Sequence, residues 1–481
     1  MRNPFSRSAT LVAAGALALA GACKESTSVT DLNNLPASTI ASGLTPTTFQ
    51  LLVTGLANQD RANTGFRYII FTETMARDVY NLDPSESRFI TELLGGTIDP
   101  GGFTGTSNFL GFYNAIATGN TIISKLPSLQ QNYAFTTQQV AATTGFVQTY
   151  KALELYKVFA TRGNNGIPAD AAASVTDSLP PLLCQTSALA RISALLDSGY
   201  TNLQAAGSTA FPFQLPSGFS SNGSFSTPAT FAKFNRGLKG RVEVYRGILA
   251  QNGDVSSGAG AQFFTNAITA LNASFLTTAG DLSTGVYYTY SAAPNEQTNP
   301  IAATTVYLNQ QVGDSIKAGD LRSSKIVKLA KPRTLNRVTT NYTSTLSDPS
   351  NQTGSIPLLI NGELVLLRAQ AQLGLGNLAG ATADANVVHT STAVTTPQVG
   401  GGLPAYATFS SAAVARDSIL YDKRYALLLT GAQRLVDLRS YNLLNAAHFK
   451  QEISTDIFNS AAPLPKQEID ARGGKVTLSC S

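Results

Sequence analysis

Residues 231–249 read FAKFNRGLKGRVEVYRGIL. Phe231, Phe234, Leu238, Val242, Tyr245 and Leu249 recur at three- and four-residue steps, so they share one face of an α-helix. The same spacing returns on both sides. Phe109, Tyr113, Ile116 and Ile123 mark an earlier helix. Phe146, Tyr150, Leu153 and Ala160 mark another that is apolar nearly all round, which predicts a buried helix. Ile360, Leu364, Leu367 and Ala371 precede Leu378, Ala381, Ala385 and Val388 across a Gly-Asn turn. Leu420, Leu427 and Leu428 lead into a last helix near Leu435 to Leu444. Gly376 and Gly431 fall where helices end and a left-handed cap is needed.

A weak internal repeat runs through these segments. Leu153-Glu154-Leu155-Tyr156-Lys157 matches Val242-Glu243-Val244-Tyr245-Arg246, and Val365-Leu366-Leu367-Arg368 is a looser third copy. Helices that each bury one face against the next predict a mostly α, tetratricopeptide-like helix-pair superhelix. Four polar, turn-rich insertions interrupt it: Gln59 to Thr106, Pro212 to Pro228, Leu282 to Ser355 and Thr390 to Ser410. Short strands are expected around Val286–Tyr290 and Lys325–Leu329. Long loops on a rigid scaffold are where binding residues are expected.

Of the 481 residues, 43% are hydrophobic, enough for a large core, and only 13% are charged. The net charge of +5 includes no Lys/Arg block, which argues against nucleic acid as a partner. Two histidines, His389 and His448, leave little for a histidine metal site. The first 22 residues read as a signal peptide: Arg2 and Arg7, an apolar run from Leu11 to Ala20, then Gly21 and Ala22. Leu19-Ala20-Gly21-Ala22-Cys23 resembles a bacterial lipobox, which makes Cys23 the expected lipidation site. Residues 23–46 then form a tether, and 47–481 one helical domain with its insertions. The chain is expected to be anchored to a membrane by lipid, not to span it. After export, Cys184 and Cys480 are the two cysteines left, as a disulfide or as two free thiols.

Six blocks, in order, resemble the SusD/RagB family of outer-membrane nutrient-binding lipoproteins. They are Asn108 to Ile123, Tyr150 to Pro168, and Lys233 to Val242. Pro357 to Ala371, Asp422 to Arg439, and Pro463 to Ala471 complete the set. Gln370 replaces an acid of the family pattern, and Lys423 and Thr430 replace glutamates. The resemblance implies a cell-surface lipoprotein that binds an oligosaccharide or peptide. It would pass this ligand to a SusC-like TonB-dependent transporter, with no cofactor, metal or catalytic step. The family's ligand contacts lie in variable loops, so none carries over.

Two other function classes stay open: an α-helical polysaccharide-degrading enzyme and a protein-binding scaffold of the tetratricopeptide type. No His-Glu-x-x-His, Gly-x-Ser-x-Gly or phosphate-binding glycine loop occurs. A pair of carboxylates set for sugar hydrolysis is invisible in sequence. The charged set Asp422, Arg424, Arg434, Asp437 and Arg439 reads as structural ion pairs before it reads as a site. Ligand-binding candidates come from insertion composition alone. They are Arg77, Asp78, Tyr80, Asn81, Phe89 and Phe103 in the first insertion, and Tyr287, Tyr288 and Tyr290 in the third.

Overall fold

The computed structural model describes residues 43–172, 178–294, 296–431 and 433–480. The signal peptide, Cys23 and nearly all of the tether lie outside them. Within Thr45–Ser481, which forms one compact unit, ten helices build the frame. They are α1 (Pro46–Thr64), α2 (Phe103–Tyr133), α3 (Thr137–Arg162), α4 (Gln185–Ala205) and α5 (Pro228–Gln251). Then come α6 (Ala261–Asn272), α7 (Asn361–Gly374), α8 (Leu378–His389), α9 (Ala412–Ala426) and α10 (Gln433–Ser440). From α1 to α8 each packs on the next in sequence, and α9 closes over α7 and α8. This is the expected superhelix of helix pairs.

Local chemistry explains the starts and stops. Thr45, Thr136 and Thr227 each cap a helix with a reciprocal capping box, and Pro46 and Pro228 occupy first-turn positions where no N–H is needed. Gly376 turns the chain between α7 and α8 with φ +74°, and Gly431 precedes α10 with φ +101°. The apolar helix α3 is buried from Phe146 to Arg162 along nearly every position. Gly247 and Gly374 let α5 and α7 close on the Phe264 ring of α6; a Cβ at either would sit 2.5 or 2.3 Å from it.

The insertions are more ordered than their composition suggests. The first does not begin at Gln59. Helix α1 runs to Thr64, a π-helical turn follows over Gly65–Ile70, and Phe71–Met75 is helical again. The cause is the apolar run Tyr68, Ile69, Ile70, Phe71 and Met75, all buried, which outweighs the polar residues before it. The second insertion places Phe213 and Phe219, with Phe211 just before it, in an aromatic cluster with Phe146 and Phe231. In the third, β4 (Gly285–Tyr288) pairs antiparallel with β8 (Ile356–Ile360), close to the expected strand. There β5 (Val306–Leu308) pairs antiparallel with β1 (Val79–Asn81) of the first insertion. The hairpin β6 (Ile326–Leu335) and β7 (Val338–Ser344) slips register between Lys328 and Arg333, where Pro332 has no N–H to give.

Candidate functional site

The structure places most of the insertion residues read as ligand contacts inside the protein. Arg77, Asp78, Tyr80, Asn81, Phe89, Tyr287, Tyr288 and Tyr290 are all buried. Arg77 grips Asp456 with two hydrogen bonds of 2.9 and 2.6 Å. Asp78 accepts from Arg424 Nε at 2.7 Å. The Tyr288 hydroxyl donates to Asp60 at 3.1 Å, and the Tyr287 hydroxyl to the Ser283 carbonyl at 2.5 Å. Strand β4 is covered on both faces, so neither side of its alternation reaches solvent. Only Phe103 keeps part of its ring at the surface, under the Arg88 guanidinium 4.4 Å away and edge-on to Phe89. Buried tyrosines at these sites are core residues whose hydroxyls found partners.

The same two insertions nevertheless enclose open space. A cleft of about 520 Å³ lies among Tyr80, the Asn309–Asp314 segment, the turn of the β6–β7 hairpin, and Lys450–Glu452. The short helix Gln310–Ser315 forms one wall. It is held by Thr340, whose hydroxyl donates to the Leu308 carbonyl at 2.6 Å, and by Asn341 N–H, which donates to the Gln310 amide oxygen at 2.8 Å. At the floor, the Asn309 amide donates to Glu452, and the Tyr80 phenol bonds to the same carboxylate. Burial raises the Glu452 carboxyl above its ordinary range, against the pull of Arg77. Burial likewise raises the Tyr80 phenol. A second cleft of about 320 Å³ shares Gln311 and adds Tyr421, Arg434, His448 and Phe449. Only Tyr80 of this lining was legible as a candidate. Amides, cations and two carboxylates far apart in sequence supply most of the rest.

No family sequence model and no curated protein matches the chain by sequence. Solved structures do match. A SusD superfamily protein from Bacteroides vulgatus superposes with a TM-score of 0.65 at 15% identity, covering 91% of this chain and 98% of that one. One from Bacteroides thetaiotaomicron gives 0.62 at 14%, covering 90% and 99%. The fold is SusD-like. NanU of B. fragilis also matches, with a TM-score of 0.58 at 14% identity over 90% of this chain and 96% of that one.

Within this SusD-like frame, the C-terminal charged residues act as structural pairs. Lys423 Nζ lies 2.8 Å from the Gln370 amide oxygen and 3.0 Å from Asp437 Oδ1, and the Gln370 amide donates to the same Asp437 oxygen at 3.1 Å. Two departures from the family pattern therefore answer each other: a lysine replaces an acid, and its neighbour becomes an amide. Arg439 donates to the carbonyls of Phe159 and Ala160 at the end of α3, where a cation suits the helix dipole. Asp422 accepts from Arg322 and faces His389 Nδ1 at 2.9 Å.

Both cysteines are free thiols in the structure, not a disulfide. They nevertheless meet. Strand β9 (Leu478–Ser479) runs parallel to β3 (Leu182–Leu183), and the Cys184 N–H donates to the Ser479 carbonyl at 3.2 Å. Cys184 caps α4. Burial alone raises its thiol, but hydrogen bonds from Cys480, Thr186 and Ser187 bring it down to about 6.

Proposed function

We propose that the protein is a lipid-anchored outer-membrane binding protein. It captures an oligosaccharide in the cleft between its first and third insertions and passes it to a TonB-dependent transporter of the SusC type. The observation that carries this reading is the SusD-like fold, shared over nine-tenths of the chain and nearly the whole of each neighbour. The export signal and Cys23 support surface anchoring, and no helix among the described residues is long and apolar enough to cross a membrane. The cleft itself is open and lined by amides, the groups that exchange hydrogen bonds with sugar hydroxyls. Binding and release are its whole cycle. Peptides are the other ligand class, and a titration panel must contain both.

Titration calorimetry with glycans and peptides tests the reading, alongside transporter co-purification and fractionation of Cys23→Ser. The expected result is saturable glycan binding without turnover, and a Cys23→Ser protein that no longer sediments with outer membranes. Release of shortened glycan by the pure protein would instead favour a hydrolase, with Asp314 and the raised Glu452 carboxyl as the acids sharing the cleft.

We also propose that Cys184 and Cys480 join in the exported protein. A thiol held partly ionised beside a second thiol is poised for exchange with an external disulfide of the exporting compartment, which is reduced to its dithiol as it takes up the two electrons and two protons. The bond would close a long loop and contribute on the order of 4–5 kcal/mol in the chain-entropy treatment. Non-reducing peptide mapping of export-folded protein is expected to show the linked pair; two freely alkylated thiols would end the proposal.

A further inference from the structure

The cleft has an electrostatic asymmetry. Its two carboxylates are engaged. Asp314 accepts from the Gln310 amide at 3.0 Å and from the Tyr342 hydroxyl at 3.0 Å. Glu452 holds Asn309 and Tyr80, with Arg77 4.0 Å away. Its two cations are not. Arg337 and Lys450 are exposed and make no ion pair or hydrogen bond among the described residues.

Arg337 is also held in a conformation that its side chain does not favour. Leu335 pairs with Val338, so Asn336-Arg337 is a two-residue hairpin turn, with φ +50° and +71°. Such turns take Asn-Gly readily, and a bulky residue in the second place is disfavoured. Asn336 fits; Arg337 stands where glycine costs least. Backbone strain of this kind gathers where a side chain is needed.

The surroundings have the same sign. From residue 321 to 347 the chain carries six cations and no acid, although the whole protein is only +5. Arg322 and Lys325 are buried inside, which leaves Lys328, Lys331, Arg333 and Arg337 on the hairpin that edges the cleft. Of these only Arg337 lines the cleft, and cations grouped on the hairpin that carries it raise the local concentration of anions and orient them. A guanidinium and an ammonium with free donors suit carboxylate or sulfate oxygens.

From these observations we infer that the cleft selects an anionic oligosaccharide, with Arg337 and Lys450 binding its acidic groups. The inference rests on the oligosaccharide-binding reading above and adds the ligand's charge. The side-chain amide of Gln311, which makes no hydrogen bond among the described residues, serves the uncharged hydroxyls beside them.

The test compares three probes of matched length by calorimetry: an oligogalacturonate, its carboxyl-reduced neutral counterpart, and a keratan sulfate oligosaccharide, which carries sulfate but no uronate. The expected result is affinity for an anionic probe at least about tenfold above the neutral one, weakening as salt is raised. The uronate and sulfate arms tell which acid group is preferred. In Arg337→Gly with Lys450→Gln, the anionic-to-neutral affinity ratio should collapse towards one. The melting temperature should not fall, because glycine relaxes the turn. Equal affinity for anionic and neutral probes in the wild-type protein overturns the inference and leaves glycan binding intact. No binding to any of the three removes the glycan reading as well. A variant that keeps the full ratio shows that the selection lies elsewhere and overturns these two residues' role.

Discussion

Replacing Arg322 with alanine will cost about 3–5 kcal/mol of folding stability, because it leaves buried carboxylates without their cation. The guanidinium is fully buried. Its Nη2 lies 2.6 Å from Asp320 Oδ2 and 2.9 Å from Asp422 Oδ1, and its Nη1 donates to the Asp422 carbonyl at 3.1 Å. Burial alone would raise the Asp320 carboxyl, but the hydrogen bonds and charge of Arg322 hold it below the ordinary range. Removing Arg322 makes both acids expensive at neutral pH. The ring of His389, stacked on Tyr406 at 3.7 Å, contacts the same Asp422 carboxylate. Equilibrium denaturant unfolding of Arg322→Ala at pH 7 measures the loss. The triple variant Arg322→Met, Asp320→Asn, Asp422→Asn should recover much of it, since a removed network is cheaper than a broken one. A single variant as stable as the wild type would show that water reaches these acids. The network lies at the root of the β6–β7 hairpin, so weakening it should also loosen the wall that bears Arg337.

The helices were legible because their signal is local. The stripe Phe231, Phe234, Leu238, Val242, Tyr245 and Leu249 needs only helical spacing, and most of it is buried in α5. The charges inside α3 were not legible. Lys157 lies between Glu154 and Asp60, and Asp60 comes from α1, nearly a hundred residues earlier. The burial of the ligand candidates was hidden for a related reason. Tyr287 and Tyr288 look like ligand-stacking residues in a polar insertion, yet β4 pairs with β8 along one edge and is buried at all four positions. The cleft residues Asn309, Gln311, Arg337 and Lys450 have no shared spacing, since only the fold brings the hairpin and the C-terminal loop together. Two sequence signals could have found part of it: the acid-free stretch from 321 to 347, and Asn336-Arg337 between two β-like runs.

Stability of the wild-type protein should fall as pH rises from about 4.5 to 8, through Glu73. Its carboxyl is buried against the start of α10 and pushed up to about 8, first by burial and next by the charge of Asp78. The Gly431 N–H, donating at 3.3 Å, and the cations Arg424 and Arg434 pull the other way and do not win. The Glu73 Oε2 atom has no hydrogen-bond partner among the described residues. The folded state therefore keeps a proton that the unfolded chain releases near 4.5. The contribution is fully present below that pH and is lost as pH climbs through 8. At about 1.4 kcal/mol for each pH unit of the window, the loss approaches roughly 5 kcal/mol. Lys325 contributes with the opposite sign. Burial lowers its ammonium to about 7, so its contribution is lost as pH falls through 7 and partly masks the Glu73 slope in the raw profile. Comparison with Glu73→Gln removes that overlap. The amide cannot ionise and can still accept from Gly431. The two proteins should be nearly equal in stability at pH 4, and the variant should pull ahead with rising pH, most clearly at pH 8. Parallel curves over the whole range would mean that Glu73 is ionised in the folded protein, with its charge carried by Arg424 and Arg434.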